Sequence, residues 1–399
     1  MRSSHYARLA GQVQEQTTGL LYRALRPPDY SRRCTAWVLL SSLLLAAASR
    51  LSLAAVAALR PRSPSRETLR KALYATLPDY AELRRRTGPL CRASLPRSLR
   101  RRQRPGPRQR YPMAIDLHHV RYFKRQRTPP LHVRKGQYQP GTAYAHCYAS
   151  ASLLRKGQYF IVAALPYDPG EDLAAVVRRL LREAAANGFS PRYVLMDRGF
   201  WSSAVFRYLQ RARYPFLIPV VARGKKASAD GLPSGSRIFF HRCKTGWYSY
   251  RVGQRRGRQT ATVPIAVQRR NWRGRKGKHG RYAWVYALWR MNLSSISRVH
   301  QSYRRRFRIE SSYRLLEEVR GRTSTRDEAW RLWYVLLAIV LVNVWLALRR
   351  TESRGGGGSS RQPQWCNRLL VALSGILLQQ SATEPPPDSR SQRNPQLER

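Results

Sequence analysis

Between Tyr111 and Val221 the chain runs through three strand-like segments, a helix, a strand, a second helix and a last strand, an order few folds accommodate. The first three segments, 111–117, 144–153 and 158–165, are short and dominated by apolar and aromatic residues. Leu173, Val176, Val177, Leu180, Leu181 and Ala184 then recur at three and four residues, the spacing of a helix with one buried stripe. Asn187-Gly188 supplies the stop. A strand at 191–197, a helix at 202–212 and a strand from Phe216 to Val221 complete the run. Strands alternating with helices around one sheet predict an α/β core.

Two of these strands carry a carboxylate in surroundings that are otherwise basic. Asp116 lies in Tyr-Pro-Met-Ala-Ile-Asp-Leu on the first strand, and Asp197 lies in Tyr-Val-Leu-Met-Asp-Arg-Gly-Phe on the fourth, with a glycine just past its end. A third acid, Glu310, sits in the helix-like stretch Tyr-Arg-Arg-Arg-Phe-Arg-Ile-Glu-Ser-Ser-Tyr-Arg. At helical pitch Tyr303, Arg306, Glu310 and Glu317 fall on one face. Alone, that stripe equally fits a solvated face with i,i+4 charge pairs. Combined with the two strand-end aspartates it defines a set able to hold two divalent metals, which bracket the attacking and leaving oxygens of a phosphodiester. His118 and His119 follow Asp116 closely; structural histidines and groups that orient Asp116 or touch phosphate both read this way.

The charge balance points to the same class of partner. Lys and Arg number 75 against 21 Asp and Glu, a formal charge of +54. Such an excess calls for a polyanion, because each neutralised phosphate releases counterions. Arginine dominates, which suits forked grips on phosphate and also fits an Arg-rich codon bias; that bias does not account for the scarcity of acids. The five cysteines, Cys34, Cys91, Cys147, Cys243 and Cys366, are scattered and never form a Cys-x-x-Cys pair, which argues against a disulfide framework or zinc site and for a reducing cytoplasm. Trp37 to Ala48 is short for a membrane span and interrupted by Ser41 and Ser42. Leu332 to Leu348 contains Asn343 as its one polar residue and reads as a buried helix, with a span as the alternative.

The remaining organisation follows from composition. Residues 1–35 read as a flexible arm and 36–93 as helices, in which Leu53 to Leu59 and a helix from Arg66, capped by Ser65, suggest a helix-turn-helix. Residues 94–110 form a basic, proline-containing linker whose charge suits tracking phosphate. The α/β domain spans 111–350 and contains a β-rich insertion at about 224–296, with runs such as Ile238-Phe239-Phe240, Trp247 to Tyr250 and Ala261 to Val267. Residues 351–399 read as a linker, a short helix and a disordered tail.

In this order the motifs resemble those of DDE transposases of bacterial and archaeal insertion sequences. The group it resembles carries Tyr-x2-Arg-x3-Glu-x6-Lys on its glutamate helix; Tyr303, Arg306 and Glu310 match, and Glu317 departs from the lysine. Asp116 and Asp197 correspond to the first two catalytic acids. The resemblance implies an RNase H-like catalytic core, Mg²⁺ or Mn²⁺ held by Asp116, Asp197 and Glu310, and phosphate contacts from Tyr303 and Arg306, with Arg314 or Arg320 in place of the lysine. It implies double-stranded DNA as partner, both element ends and target, at least two subunits in the DNA complex, and a hairpin step at the element end. Trp272, between Asn271 and Arg273 in a polar stretch of the insertion, is the tryptophan best suited to stack an extruded base; Trp247, Trp284 and Trp289 fit core positions as well. Competing readings are a catalytically decayed DNA-binding protein, an RNase H-like nuclease that cuts without joining, and a basic membrane protein.

Overall fold

A computed structural model describes residues 2–60, 63–100, 110–123, 132–139, 141–155, 158–226, 231–253, 259–273, 279–293, 295–306, 316–352 and 373–375. The chain divides into two compact units, 1–101 with 313–399, and 102–312.

The first unit is helical. It contains α1 (Arg2–Leu25), α2 (Ala36–Ser49), α3 (Leu53–Leu59), α4 (Arg66–Thr76), α5 (Tyr80–Ala93), the single turn α6 (Arg97–Arg100) and a long closing helix, α11 (Glu328–Glu352). Thr35, Ser52, Ser65 and Asp79 cap α2 to α5, each accepting a backbone N–H left without a partner in the first turn. The segment expected as a loose arm is mostly α1, with Leu9, Val13, Leu21 and Leu25 buried. Its apolar stripe is interrupted by Gln14, Thr17 and Thr18, which are also buried, and that mixture hides the periodicity. The expected linker likewise begins as structure, because Leu95 and Leu99 are four apart and both buried.

Helix α11 settles where the apolar run 332–348 belongs in the fold. Glu328–Leu348 is long and apolar enough to cross a membrane, yet residues 330–346 are all buried within the protein. It packs with α1, α2 and α5. Its central polar residue, Asn343, is fully buried and donates from Nδ2 to Ser94 Oγ at 2.9 Å. The helix therefore groups with the N-terminal helices, whereas the expected α/β domain ran on to residue 350.

The second unit is built on one sheet. Its described strands are β1 (Met113–Arg121), β2 (Arg134–Gln139), β3 (Thr142–Arg155), β4 (Gln158–Pro166), β5 (Val194–Leu195), β6 (Phe216–Pro219), β7 (Gly246–Val252), β8 (Ala261–Arg273) and β9 (His279–Trp289). The order is β2-β3-β1-β5-β6-β9-β8-β7, with β4 also on β3. β1, β3 and β4 are antiparallel, and β5 and β6 run parallel to β1. Three antiparallel strands followed by two parallel ones make this an α/β fold with an RNase H-like core. Helices α7 (Leu173–Ala186) and α8 (Ser203–Arg211) supply the crossovers. All six stripe residues of α7 except Leu173 are buried, and Asn187 ends the helix while its Nδ2 holds Val162 O at 2.8 Å.

The insertion prolongs this sheet. β9 pairs antiparallel with β6, and β8 and β7 follow outward. β2 was not anticipated; its sequence Arg-Lys-Gly-Gln-Tyr-Gln is polar because it lies at one end of the strand order, where charged residues discourage further pairing. Ile238-Phe239-Phe240, expected in a β-run, belongs instead to a helical turn, α9 (Ile238–His241). Ser236 fixes the approach to it, accepting from Arg223 N and donating to Val221 O.

Candidate active site

The site starts from register. Met113 pairs with Val194 and Ala114 with Leu195 across β1 and β5. Continued two residues past β5, the same offset brings Asp116 beside Asp197. Neighbouring strands lie about 4.8 Å apart, and laterally paired residues of parallel strands share a face. Two acids distant in sequence are therefore brought to one region of the sheet; Asp197 lies just past the carboxyl end of β5, but Asp116, expected at a strand end, lies within β1, which runs on to Arg121.

Each carboxylate is held locally. Asp197 caps a 3₁₀ turn at 198–200, its Oδ1 accepting from Gly199 N at 2.9 Å. Among the described residues its Oδ2 has no hydrogen-bond donor. A Cβ at Gly199 would lie 3.0 Å from Asp197 Oδ1, so glycine keeps that face of the carboxylate open. Asp116 accepts from Leu117 N at 2.9 Å through Oδ1 and from Arg306 Nη1 at 3.0 Å through Oδ2.

Arg306 arrives just past helix α10 (Ile296–Arg304). Its Nε donates to Tyr303 Oη at 2.8 Å, so the two residues read as one stripe do meet. The Arg306 and Asp116 side chains are 10% and 13% exposed, an ion pair almost shielded from water. Burial alone lowers the Arg306 pKa, but Tyr303, Asp116 and Asp197 more than offset it and leave it raised. Burial pushes the Tyr303 hydroxyl up to about 12, against the pull of Arg306 and with help from both aspartates. The guanidinium thus lies within electrostatic reach of both carboxylates, which lowers the cost of keeping two like charges together. Arg305 Nη1 donates to Tyr193 Oη at 3.1 Å, tying the end of α10 to the residue before β5.

A second layer backs this group from the insertion. Tyr286 on β9 lies 5.1 Å from Tyr303, ring to ring, and its hydroxyl meets His300 Nδ1 at 2.8 Å. His300 in turn stacks flat on Trp284 at 3.3 Å. Sequence reasoning missed Tyr286 and His300. The signals were present: Tyr282, Trp284 and Tyr286 alternate along one strand, and His300 is one helical turn before Tyr303.

The other expected residues fall as follows. Glu310 and Arg314 lie outside the described residues. Glu317 is exposed on a helical turn at 316–318. Trp272 was expected in a loop-like stretch; it belongs to β8, paired with Gly280, and its side chain is outside the described set. The polar run Arg269 to Arg273 obscures that extension of the strand. His118 is buried; His119 is exposed, yet the protein around it and then Arg134 lower its pKa, opposed by Asp197. Among the described residues, which do not include Glu310, no three His, Cys, Asp or Glu cluster as metal ligands.

An RNase H-like sheet whose adjacent parallel strands bring two aspartates to one region fits a class of enzymes acting on phosphodiesters. The transposase DDE domain family matches residues 107–342, well over half the chain, and the protein belongs to that family. Among solved structures, a piggyBac transposase synaptic complex with hairpin DNA aligns at 12% identity over 100% of this chain and 74% of that one, with a TM-score of 0.47. No curated protein matches the chain.

Proposed function

We propose that the protein is an insertion-sequence transposase that nicks DNA at the ends of its element and joins those ends to target DNA. The observation that carries this reading is the parallel register of β1 on β5, whose offset continues to Asp116 and Asp197, with Arg306 bound to Asp116. Glu310 completes the acid set on the family's motif.

The donor chemistry fits a divalent metal. Carboxylate oxygens suit hard cations such as Mg²⁺ or Mn²⁺, and Gly199 leaves the Asp197 carboxylate accessible. Asp116, Asp197 and Glu310 would hold the metal, which when bound polarises the phosphoryl group and stabilises the leaving 3′ oxygen. The chain's own residues do the rest. Leu117 N–H and Arg306 fix Asp116 in one orientation, and the Gly199 N–H fixes Asp197. Tyr303 stays neutral and holds Arg306 by its Nε. Arg306 is then placed to neutralise phosphate charge close to the acids, a geometry that a permanently ionised forked cation serves well. A homodimer in the DNA complex follows from the need to bring two ends together, with Tyr303, Arg306, Arg314 and Trp272 contacting DNA.

The test is strand transfer with purified protein, element-end DNA and Mg²⁺, beside Asp197→Ala and Glu310→Ala. Joined product from wild type and none from either variant is expected. DNA binding without cutting by wild type would favour a decayed DNA-binding protein; cutting without joining would favour a nuclease.

A further inference from the structure

The helical unit contains a solvent-open cavity of about 540 Å³ far simpler in its electrostatics than the acid site. Its walls come from α1, the turn around α6 and the end of α11. Three guanidiniums, Arg23, Arg97 and Arg100, line it, and among the described residues no carboxylate does. Gln16, Leu20 and Arg23 stand on one face of α1, and Arg23 lies back over Gly19, where a Cβ would be 3.4 Å from its Nη1.

Three like charges around one cavity repel. Burial, then Arg97 and Arg23, lower the pKa of Arg100. The Arg100 Nε is enclosed and, among the described residues, has no hydrogen-bond partner. A buried donor left unsatisfied is costly, and an acceptor placed within its reach relieves that cost. An arrangement that repels itself and leaves a forked donor open is stable when an anion fills it.

We propose that this cavity binds a phosphate group through Arg23, Arg97 and Arg100. Guanidinium forks match phosphate oxygens and stay charged at any physiological pH. Leu95 and Val344 give an apolar wall for the sugar beside that phosphate. The natural source is the DNA backbone, a choice that rests on the transposase reading. A free phosphorylated small molecule has the same chemistry.

Two arms separate these sources. In the first, thermal unfolding of the full chain is followed in inorganic phosphate against chloride at equal ionic strength. Phosphate also stabilises proteins non-specifically by exclusion from their surface, so the comparison is with Arg100→Gln. Wild type should gain a saturable increment that Arg100→Gln lacks and Arg100→Lys partly keeps; Arg23→Gln, at an exposed position, repeats the test should Arg100→Gln fold poorly. Equal gains in wild type and all variants overturn the site. In the second arm, duplex binding is measured against salt. Losing one phosphate contact should reduce the slope of log K against log salt by about 1. A saturable phosphate effect with an unchanged slope keeps the site and overturns DNA as its source. The first arm uses no DNA and no catalysis, so a failure of strand transfer leaves it standing.

Discussion

The Arg306–Asp116 pair makes a prediction sharp enough to be refuted by sign. The pair is closed at 3.0 Å with both side chains nearly out of solvent. Arg306→Met keeps most of the buried stem but removes the charge, leaving Asp116 enclosed beside Asp197 without its cation. Removing one partner of a well-buried pair costs about 3–5 kcal/mol, and the residual exposure here argues for the lower end, about 3 kcal/mol. For a domain of this size, that corresponds to a fall in the unfolding midpoint of roughly 6–12 °C. Asp116→Asn in wild type should also destabilise, by about 2 kcal/mol, because it strands Arg306. In the Arg306→Met background the same substitution should stabilise, since it removes a carboxylate charge that repels Asp197. The assay is thermal unfolding of the four proteins of the cycle in chelator. Additivity within about 0.5 kcal/mol would mean that the two residues do not interact, and the reasoning would fail.

Three further outcomes follow from particular contacts. Gly199→Ala places a Cβ 3.0 Å from Asp197 Oδ1, so strand transfer should fall by at least about tenfold while stability changes by less than about 1 kcal/mol; unchanged transfer would remove the crowding argument. His300 has its pKa lowered from 6.5 by burial, then by Arg304 and Arg270. A depressed histidine contributes stability above its unfolded value that is lost as pH falls through its folded one, so the wild-type midpoint should drop below pH 6.5 more steeply than that of His300→Gln, and parallel curves would exclude His300 as the cause. Asn343→Asp would put a carboxylate where Asn343 now donates to Ser94 in the core, costing several kcal/mol, about 3 or more, as read by denaturant or thermal midpoint.

How far the fold was legible depended on whether burial left a clean period in the sequence. Helix α7 shows its stripe at three and four residues because one face meets the sheet and the other meets water. β1, which carries Asp116, and β5, which ends two residues before Asp197, read as strands because they are central and apolar, and the acids stand out against a basic background. Helix α1 was illegible because Thr17 and Thr18 share its buried face with leucines. β2 and the far end of β8 were missed because their residues are polar, at a sheet end and in a long hairpin respectively. The company kept by α11 could not be read at all: Asn343 and Ser94 are far apart in sequence, and nothing local announces their contact. In the site, the Tyr303–Arg306 stripe was readable as helical spacing, whereas the Asp116–Asp197 juxtaposition needed the parallel pairing of β1 with β5.

That pairing also explains why the insertion belongs to the chemistry. β6 lies on the far side of β5 from β1, and β9 of the insertion pairs directly with β6, Tyr286 opposite Pro219. Tyr286 packs on Tyr303, Tyr303 accepts from Arg306, and Arg306 donates to Asp116. The insertion is therefore joined to the acids twice, once by backbone pairing through β6 and β5 and once by side chains through α10. A module tethered only by loops could shift without moving the acids; one fused into the same sheet cannot. A shift of β9 displaces Tyr303 from behind Arg306, and the guanidinium then loses the hydroxyl that orients it. Substitutions at Tyr286 should accordingly act on the rate of the chemical step through Arg306, although Tyr286 has no described contact with either acid.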